Sequence, residues 1–325
     1  MIAAWQAWVR LWAEREHPRS LALVRILLGS CIAWDLLQIR WYGVVTALFG
    51  VQEIGGMSDS LTRAHTPLWY QIVPGTEAGA SALHAAMVTL ALCLTAGFFT
   101  RTSALLLLLA WGQFADILPA ADRGIDTLCR DVLALFVFAE AGRWLSLDAL
   151  ISTGSIWGDG KTIGAWARKL LVVQIVAMYF LAGIQKTGMH WWPPGHFAAL
   201  YFILQDPAIA RFDFTWLDRQ PFFLLTQLGS LGTLVFQDSY PIVLLLRYWR
   251  STPEKGGRLR NLANRHPWLE WVWIGTGALF HVLLAISCEL GIFPWAMLAL
   301  YPAWVHPDDW GRLWGRAPVR AAPST

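Results

Sequence analysis

Residues 179–186 read Tyr179-Phe180-Leu181-Ala182-Gly183-Ile184-Gln185-Lys186. They end an apolar run that begins near residue 165, about the 20 residues a helix needs to cross the hydrocarbon core of a bilayer. The run closes on an ammonium group rather than in a polar loop. A lysine at that depth is paired, snorkels to the interface, or is used chemically. Taken alone, Lys186 reads most simply as an anchoring lysine at a helix end.

The rest of the chain has the same character. Apolar residues make up 56 % of the sequence and charged residues 14 %, with a mean hydropathy of +0.45. That balance is far from a soluble domain's and marks an integral membrane protein. Many of the 21 Trp lie near the ends of apolar runs, as in an interfacial aromatic belt. A net charge of only +3 without a basic stripe argues against nucleic acid as a partner. Cys31, Cys93, Cys129 and Cys288 stand singly in apolar segments and read as small buried hydrophobes.

Eight apolar segments are expected to form a polytopic, all-α membrane bundle: about 20–42, 81–99, 102–118, 127–145, 165–185, 222–246, 268–287 and 290–305. The segments 102–118 and 290–305 are short. Pro241 and Pro294 fall inside apolar runs, where proline kinks a helix. Ahead of the bundle, Ile2, Trp5, Val9 and Trp12 recur at helical spacing beside Arg10 and Arg15. No cationic start or small-residue cleavage site accompanies them, so a helix lying in the membrane surface is expected there rather than a cleaved leader. The chain thus divides into an N-terminal interfacial segment, 1–19, a transmembrane domain, 20–310, and a tail, 311–325.

With the N-terminus inside, most Lys and Arg residues fall on the cytoplasmic side, including the cluster Arg247, Arg250, Lys255, Arg258, Arg260 and Arg265. The opposite face keeps Arg40, Arg63, Arg123, Lys186, Arg211 and Arg219. The positive-inside rule then predicts both termini in the cytoplasm, provided the helix count is even, and places Lys186 at the outer face. Two long outer loops, 43–80 and 187–220, are rich in Gly, Pro and Trp, a composition suited to packing on the outer membrane surface. No inverted repeat of broken helices is apparent, which lowers the standing of a secondary transporter.

Ionisable residues inside apolar segments are the functional candidates. The first segment carries Arg25 and Asp35, ten residues apart, on similar faces but not within direct reach of each other. The fourth carries Asp126 and Arg130, an i,i+4 pair with the acid first, followed by Asp131. Asp238 lies in the sixth and His281 in the seventh. These groups are expected to converge on a polar interior, either as an ion-paired network that fixes helix register or as a binding site. His281 reads equally as a hydrogen-bonded core imidazole or a functional one. No metal site declares itself: His190 and His196 lack a carboxylate or Cys at ligand spacing. Phosphate loops, nucleophile elbows and dinucleotide fingerprints are absent.

With these residues laid out, the chain resembles the membrane domain of vitamin K-dependent gamma-glutamyl carboxylase and its bacterial relatives, the HTTM (horizontally transferred transmembrane) family. Ala182-Gly183-Ile184-Gln185-Lys186, followed by Trp191, is similar to the family's Ala-Gly-x-x-Lys segment. Leu145-Ser146-Leu147-Asp148-Ala149 resembles its Ser-hydrophobic-Asp element. Phe280-His281, Gly291-Ile292-Phe293 and Met297-Leu298-Ala299 resemble a stretch near the end of the domain, and Arg25 to Asp35 with Gly29 between fits its first helix. The likeness runs over roughly residues 18–310.

The resemblance implies a membrane enzyme in which Lys186 is the base for a reduced quinone, vitamin K hydroquinone or menaquinol, with His281 as a supporting residue. A buried lysine suits that role, because desolvation favours the neutral amine. Two departures bear on the substrate. The large luminal lobe that follows the carboxylase membrane domain has no counterpart in these 325 residues. An Asn-His pair expected before the fourth helix is replaced by Asp122-Arg123-Gly124-Ile125-Asp126. The length is similar to that of single-domain bacterial members, among them a maturation factor for a sporulation-delaying protein. Two functions follow: a quinol-dependent enzyme acting on an exported peptide at the outer face of a bacterial inner membrane, or a non-enzymatic escort for such a peptide or a partner membrane protein.

Overall fold

The computed structural model describes residues 5, 9, 12–58 and 66–313. Its helices are α1 (Arg19–Trp41), α2 (Val45–Phe49), α3 (Leu68–Ile72), α4 (Glu77–Ala96), α5 (Thr100–Ile117), α6 (Gly124–Phe138), α7 (Leu147–Thr153) and α8 (Trp166–Ile184). They continue as α9 (Ala199–Gln205), α10 (Phe222–Ser239), α11 (Ile242–Ser251), α12 (Arg258–Arg265), α13 (Leu269–Ser287), α14 (Phe293–Ala299) and α15 (Pro307–Leu313). Two short strands, β1 (Arg15–Glu16) and β2 (Ile163–Gly164), pair antiparallel with Arg15 opposite Gly164. The protein is an all-α membrane bundle.

Among the described residues, five helical stretches are long and apolar enough to cross a bilayer: α1, α4, α8, the Phe222–Ser251 stretch made of α10 and α11, and α13. The other expected segments behave differently. α5 is interrupted by Arg101, Gln113 and Asp116. α6 ends at Phe138 instead of 145, and its 15 residues span only about 22 Å. The segment 290–305 is not one helix. It breaks into α14 and a 3-10 turn, Tyr301–Trp304. Pro294 opens α14 rather than kinking a longer helix, since the first turn of a helix needs no proline N–H. Pro241 does mark the expected break, lying between α10 and α11.

Trp5, Val9, Trp12 and Ala13 are helical, and the remainder of the expected interfacial helix lies outside the described residues. That segment has become extended by Arg15, where β1 begins. The expected tail starts within α15, and residues 314–325 also lie outside the described set.

The chain forms two compact units, residues 1–169 with 299–325, and residues 170–298. In the first, α1 packs on α4. Gly29 permits that approach: a Cβ there would lie 2.6 Å from Thr95 Oγ1, so only a residue without one lets the backbones meet. The α5 N-terminus is held from outside the helix. Asp148, in α7, accepts hydrogen bonds from Phe99 N (2.7 Å), Thr100 N (2.8 Å) and Thr100 Oγ1 (2.7 Å). Ser146 caps α7 by accepting from Ala149 N at 2.9 Å. The Leu145–Ala149 element is therefore a double helix cap, which satisfies amides that would otherwise be orphaned. Arg168 donates to the Glu16 carboxylate at 2.8 Å and to Ala303 O at 3.2 Å, all three buried. That pair joins the start of α8 to β1 and the 301–304 turn.

In the second unit, α8, α10 and α13 meet through aromatic rings. Tyr179 stacks on Tyr240 with centroids 4.2 Å apart and meets Phe236 edge-on at 5.2 Å. Phe280 tilts against Phe236 at 6.0 Å. Glu270 at the start of α13 receives Arg247 (3.0 Å) and Arg250 from α11.

Candidate functional site

Lys186 lies two residues past the end of α8. Its Nζ donates to Ala182 O at 2.7 Å and to Gln237 Oε1 at 2.6 Å, and it sits 5.1 Å from the centre of the Trp191 ring. The bond to Ala182 satisfies one of the carbonyls left open at a helix C-terminus. Both acceptors are neutral. No carboxylate approaches Nζ within ion-pair distance among the described residues. Lys186 is thus half-buried and cradled by two neutral oxygens and a ring face. Burial lowers its pKa from the ordinary lysine value, and the charge of Asp238 opposes the shift without cancelling it.

Gly183 explains why Asp238 can sit nearby. Its backbone is in contact with the Asp238 carboxylate, and a Cβ there would overlap Oδ1 and crowd the Gln237 side chain. Asp238 Oδ1 is buried and has no hydrogen-bond partner. The Ala-Gly-x-x-Lys element therefore has a physical meaning at each fixed position. Ala182 supplies a carbonyl, Gly183 makes room for an acid, and Lys186 returns to the same helix end.

His281 is fully buried, at 0 % exposure. Around it stand Tyr179 (5.7 Å between ring centres), Phe280 (5.3 Å) and Phe293 (5.3 Å). Neither Nδ1 nor Nε2 has a hydrogen-bond partner. It is not the hydrogen-bonded core imidazole of the conservative reading. Buried polar groups are nearly always satisfied, so an imidazole with two open nitrogens in an aromatic shell calls for a further partner.

The remaining expected residues belong to the first unit and form separate clusters. Arg25 is buried at 0 % exposure and does not meet Asp35. It donates instead to four backbone carbonyls: Leu94 (2.7 Å), Thr95 (2.7 Å), Ala141 (3.2 Å) and Leu145 (2.6 Å). Its guanidinium clamps two chain turns and is a structural group. Asp35 bonds Arg123 at 3.2 Å. Arg123 also chelates Asp126 (2.9 and 3.0 Å), and Asp126 accepts the Arg123 backbone N–H at 2.8 Å. The expected Asp126–Arg130 pair does not form. Arg130 reaches back to Asp122 with two bonds of 2.7 and 2.8 Å, because Asp126 is already taken up in capping α6. The planar two-pronged guanidinium matches the free carboxylate better.

Gln237, Gly183, Tyr179 and Trp191 complete the Lys186 and His281 surroundings; Gly183 and Trp191 belong to the Ala-Gly-x-x-Lys stretch and Tyr179 opens the same run, whereas Gln237 carries no signal in the sequence. Tyr179 precedes Lys186 by seven residues, two helical turns, which was a usable signal. Among the described residues no group of three or more His, Cys, Asp or Glu side chains is placed to hold a metal ion.

The model of the HTTM domain family matches residues 14–252, most of the chain and both the Arg25 and Lys186 clusters. No solved structure matches the chain.

Proposed function

The chain belongs to the HTTM domain family, and from that membership together with the Lys186 cradle we propose a membrane enzyme that uses a reduced quinone. Lys186 is its base, at the outer face of a bacterial inner membrane, and the N-terminal side faces the cytoplasm as charge distribution favours. The observation that carries the reading is a half-buried ammonium with two neutral acceptors and no bonded carboxylate. Such an amine gives up its proton more readily than one locked in an ion pair.

The residues fit a quinol. His281 offers two unpartnered ring nitrogens inside an aromatic shell, and Asp238 keeps a buried oxygen open. Lys186 would accept a proton from a phenolic hydroxyl, and Asp238 would stabilise the ammonium so formed. His281 would hydrogen-bond a polar ring substituent, while Tyr179, Phe280 and Phe293 exclude water. A quinol, when bound, supplies reducing equivalents for reaction with oxygen. Met189, Trp192, Phe212 and Trp216 expose apolar surface in the segments between α8 and α10, a surface suited to an exported peptide.

The test is oxidation of vitamin K hydroquinone or menaquinol by lipid-supplied, purified protein in oxygen, with the epoxide followed by mass spectrometry beside Lys186→Ala. Epoxide from the wild type alone supports the enzyme. No epoxide from folded protein with either quinol refutes it.

A non-enzymatic escort for an exported peptide or membrane protein is the second reading. It is favoured by the completeness of the Lys186 contacts, since Ala182 O, Gln237 Oε1 and Trp191 together suit a helix-end anchor.

A further inference from the structure

The segment 252–268 joins two membrane-spanning stretches, Phe222–Ser251 and Leu269–Ser287, so both of its ends are fixed at a bilayer boundary. Its central part is α12, whose eight residues divide into faces. At 100° per residue, Leu262, Leu259 and Ala263 occupy one continuous sector. Arg258 and Arg265 fall together along one edge of that sector, and Arg260 lies beyond the other.

The structure uses these faces unequally. Ala263 is buried, while Leu259 and Leu262 are 55 % and 49 % exposed. Arg260 is occupied within the protein, donating to Thr252 Oγ1 (3.1 Å) and Gly256 O (3.3 Å) and lying over the Tyr248 ring. Lys255 lies over the same ring. Arg258 and Arg265 are exposed, and among the described residues neither has an ion-pair partner. Of the nearby acids, Glu270 is already taken by Arg247 and Arg250, and Glu254, exposed in the same segment, forms no ion pair among the described residues.

We propose that α12 is an interfacial helix that binds anionic phospholipid headgroups. Leu259 and Leu262 enter the acyl boundary, and Arg258 and Arg265 engage the phosphates above them. Two leucines with guanidinium groups on one flank are what a surface-lying helix needs: apolar area to insert, and long cationic side chains that rise to the headgroup level. Charge selects the lipid. Two unpaired arginines at a membrane surface favour an anionic over a zwitterionic headgroup by about fivefold each. An acidic protein partner would have no use for leucines placed between the arginines and the buried face.

The test uses the full chain in nanodiscs of pure phosphatidylcholine and of phosphatidylcholine with phosphatidylglycerol, read by amide hydrogen exchange. Residues 258–266 are expected to exchange roughly tenfold more slowly in the phosphatidylglycerol discs, while residues 269–287 stay unchanged. Raising the salt to 0.5 M, and the double variant Arg258→Gln/Arg265→Gln, should each remove most of that difference. Equal exchange in both kinds of disc overturns the proposal, as does a difference that survives salt. If the double variant folds poorly, as the exchange of 269–287 would reveal, the salt arm on the wild-type chain decides.

Discussion

The Asp238 carboxylate rests on the backbone of Gly183, three residues before the lysine whose charge it faces. A methyl group at Gly183 must displace the acid or separate α8 from α10. Gly183→Ala is expected to destabilise the protein by about 1–3 kcal/mol, the range for overpacking a close contact. In an Asp238→Ala background the same change should cost much less. Thermal unfolding of the four proteins measures that coupling, and additive costs would show that the two residues do not share the space.

Lys186 as a base makes turnover depend on the neutral amine. Because burial lowers its pKa, activity should rise with pH and reach its plateau below the pH an exposed lysine would require. Asp238 pulls the other way, so Asp238→Asn removes a stabiliser of the ammonium. The rise should then move to lower pH. A pH–rate profile of both proteins checks the sign, and a shift of the variant to higher pH would assign the titration to another group.

Lys186→Arg separates base from anchor. Arginine keeps the positive charge and can still donate to Ala182 O and Gln237 Oε1, but it cannot supply a neutral amine. Folded Lys186→Arg protein should show no quinol oxidation. An escort would retain peptide binding with the same variant, so a pull-down with the exported peptide and the oxidation assay give opposite results for the two functions.

The carboxylates near the start of α6 should differ in weight. Asp126 is buried and caps the helix, whereas Asp122 meets Arg130 at a partly exposed position. Asp126→Ala is expected to cost about 2 kcal/mol or more, and Asp122→Ala about 1 kcal/mol or less. Arg130→Ala should couple to Asp122→Ala and not to Asp126→Ala. Coupling to Asp126 instead would restore the i,i+4 pairing that spacing alone predicts.

Much of the architecture was legible because a bilayer demands long apolar runs, and those runs survive as α1, α4, α8, α10–α11 and α13. The segment 290–305 has a span's apolarity without being one helix, because apolarity says nothing about where the backbone turns; Pro294 and Pro302 lie in the first turns of short helices there. Lys186, Asp238 and His281 could be singled out as polar groups in apolar surroundings. Gln237 could not, since a glutamine at that position is unremarkable until α8 and α10 are packed together. Arg25 and Asp35 share a helix face but stand too far apart to bond each other, and the partners Arg25 does take are carbonyls from residues far along the chain. Local periodicity has no access to such partners.

Arg25 also constrains how the protein is made. Its helix precedes the other described spanning helices along the chain, but its acceptors lie 69 to 120 residues downstream. Until Leu145 has been synthesised, at least one of the guanidinium's hydrogen bonds must come from water, lipid headgroups or the insertion machinery. The first helix therefore commits to its final place only after the chain between α4 and α7 has arrived. Nascent chains halted before that point should remain extractable or open to proteolysis, and chains halted after it should become resistant.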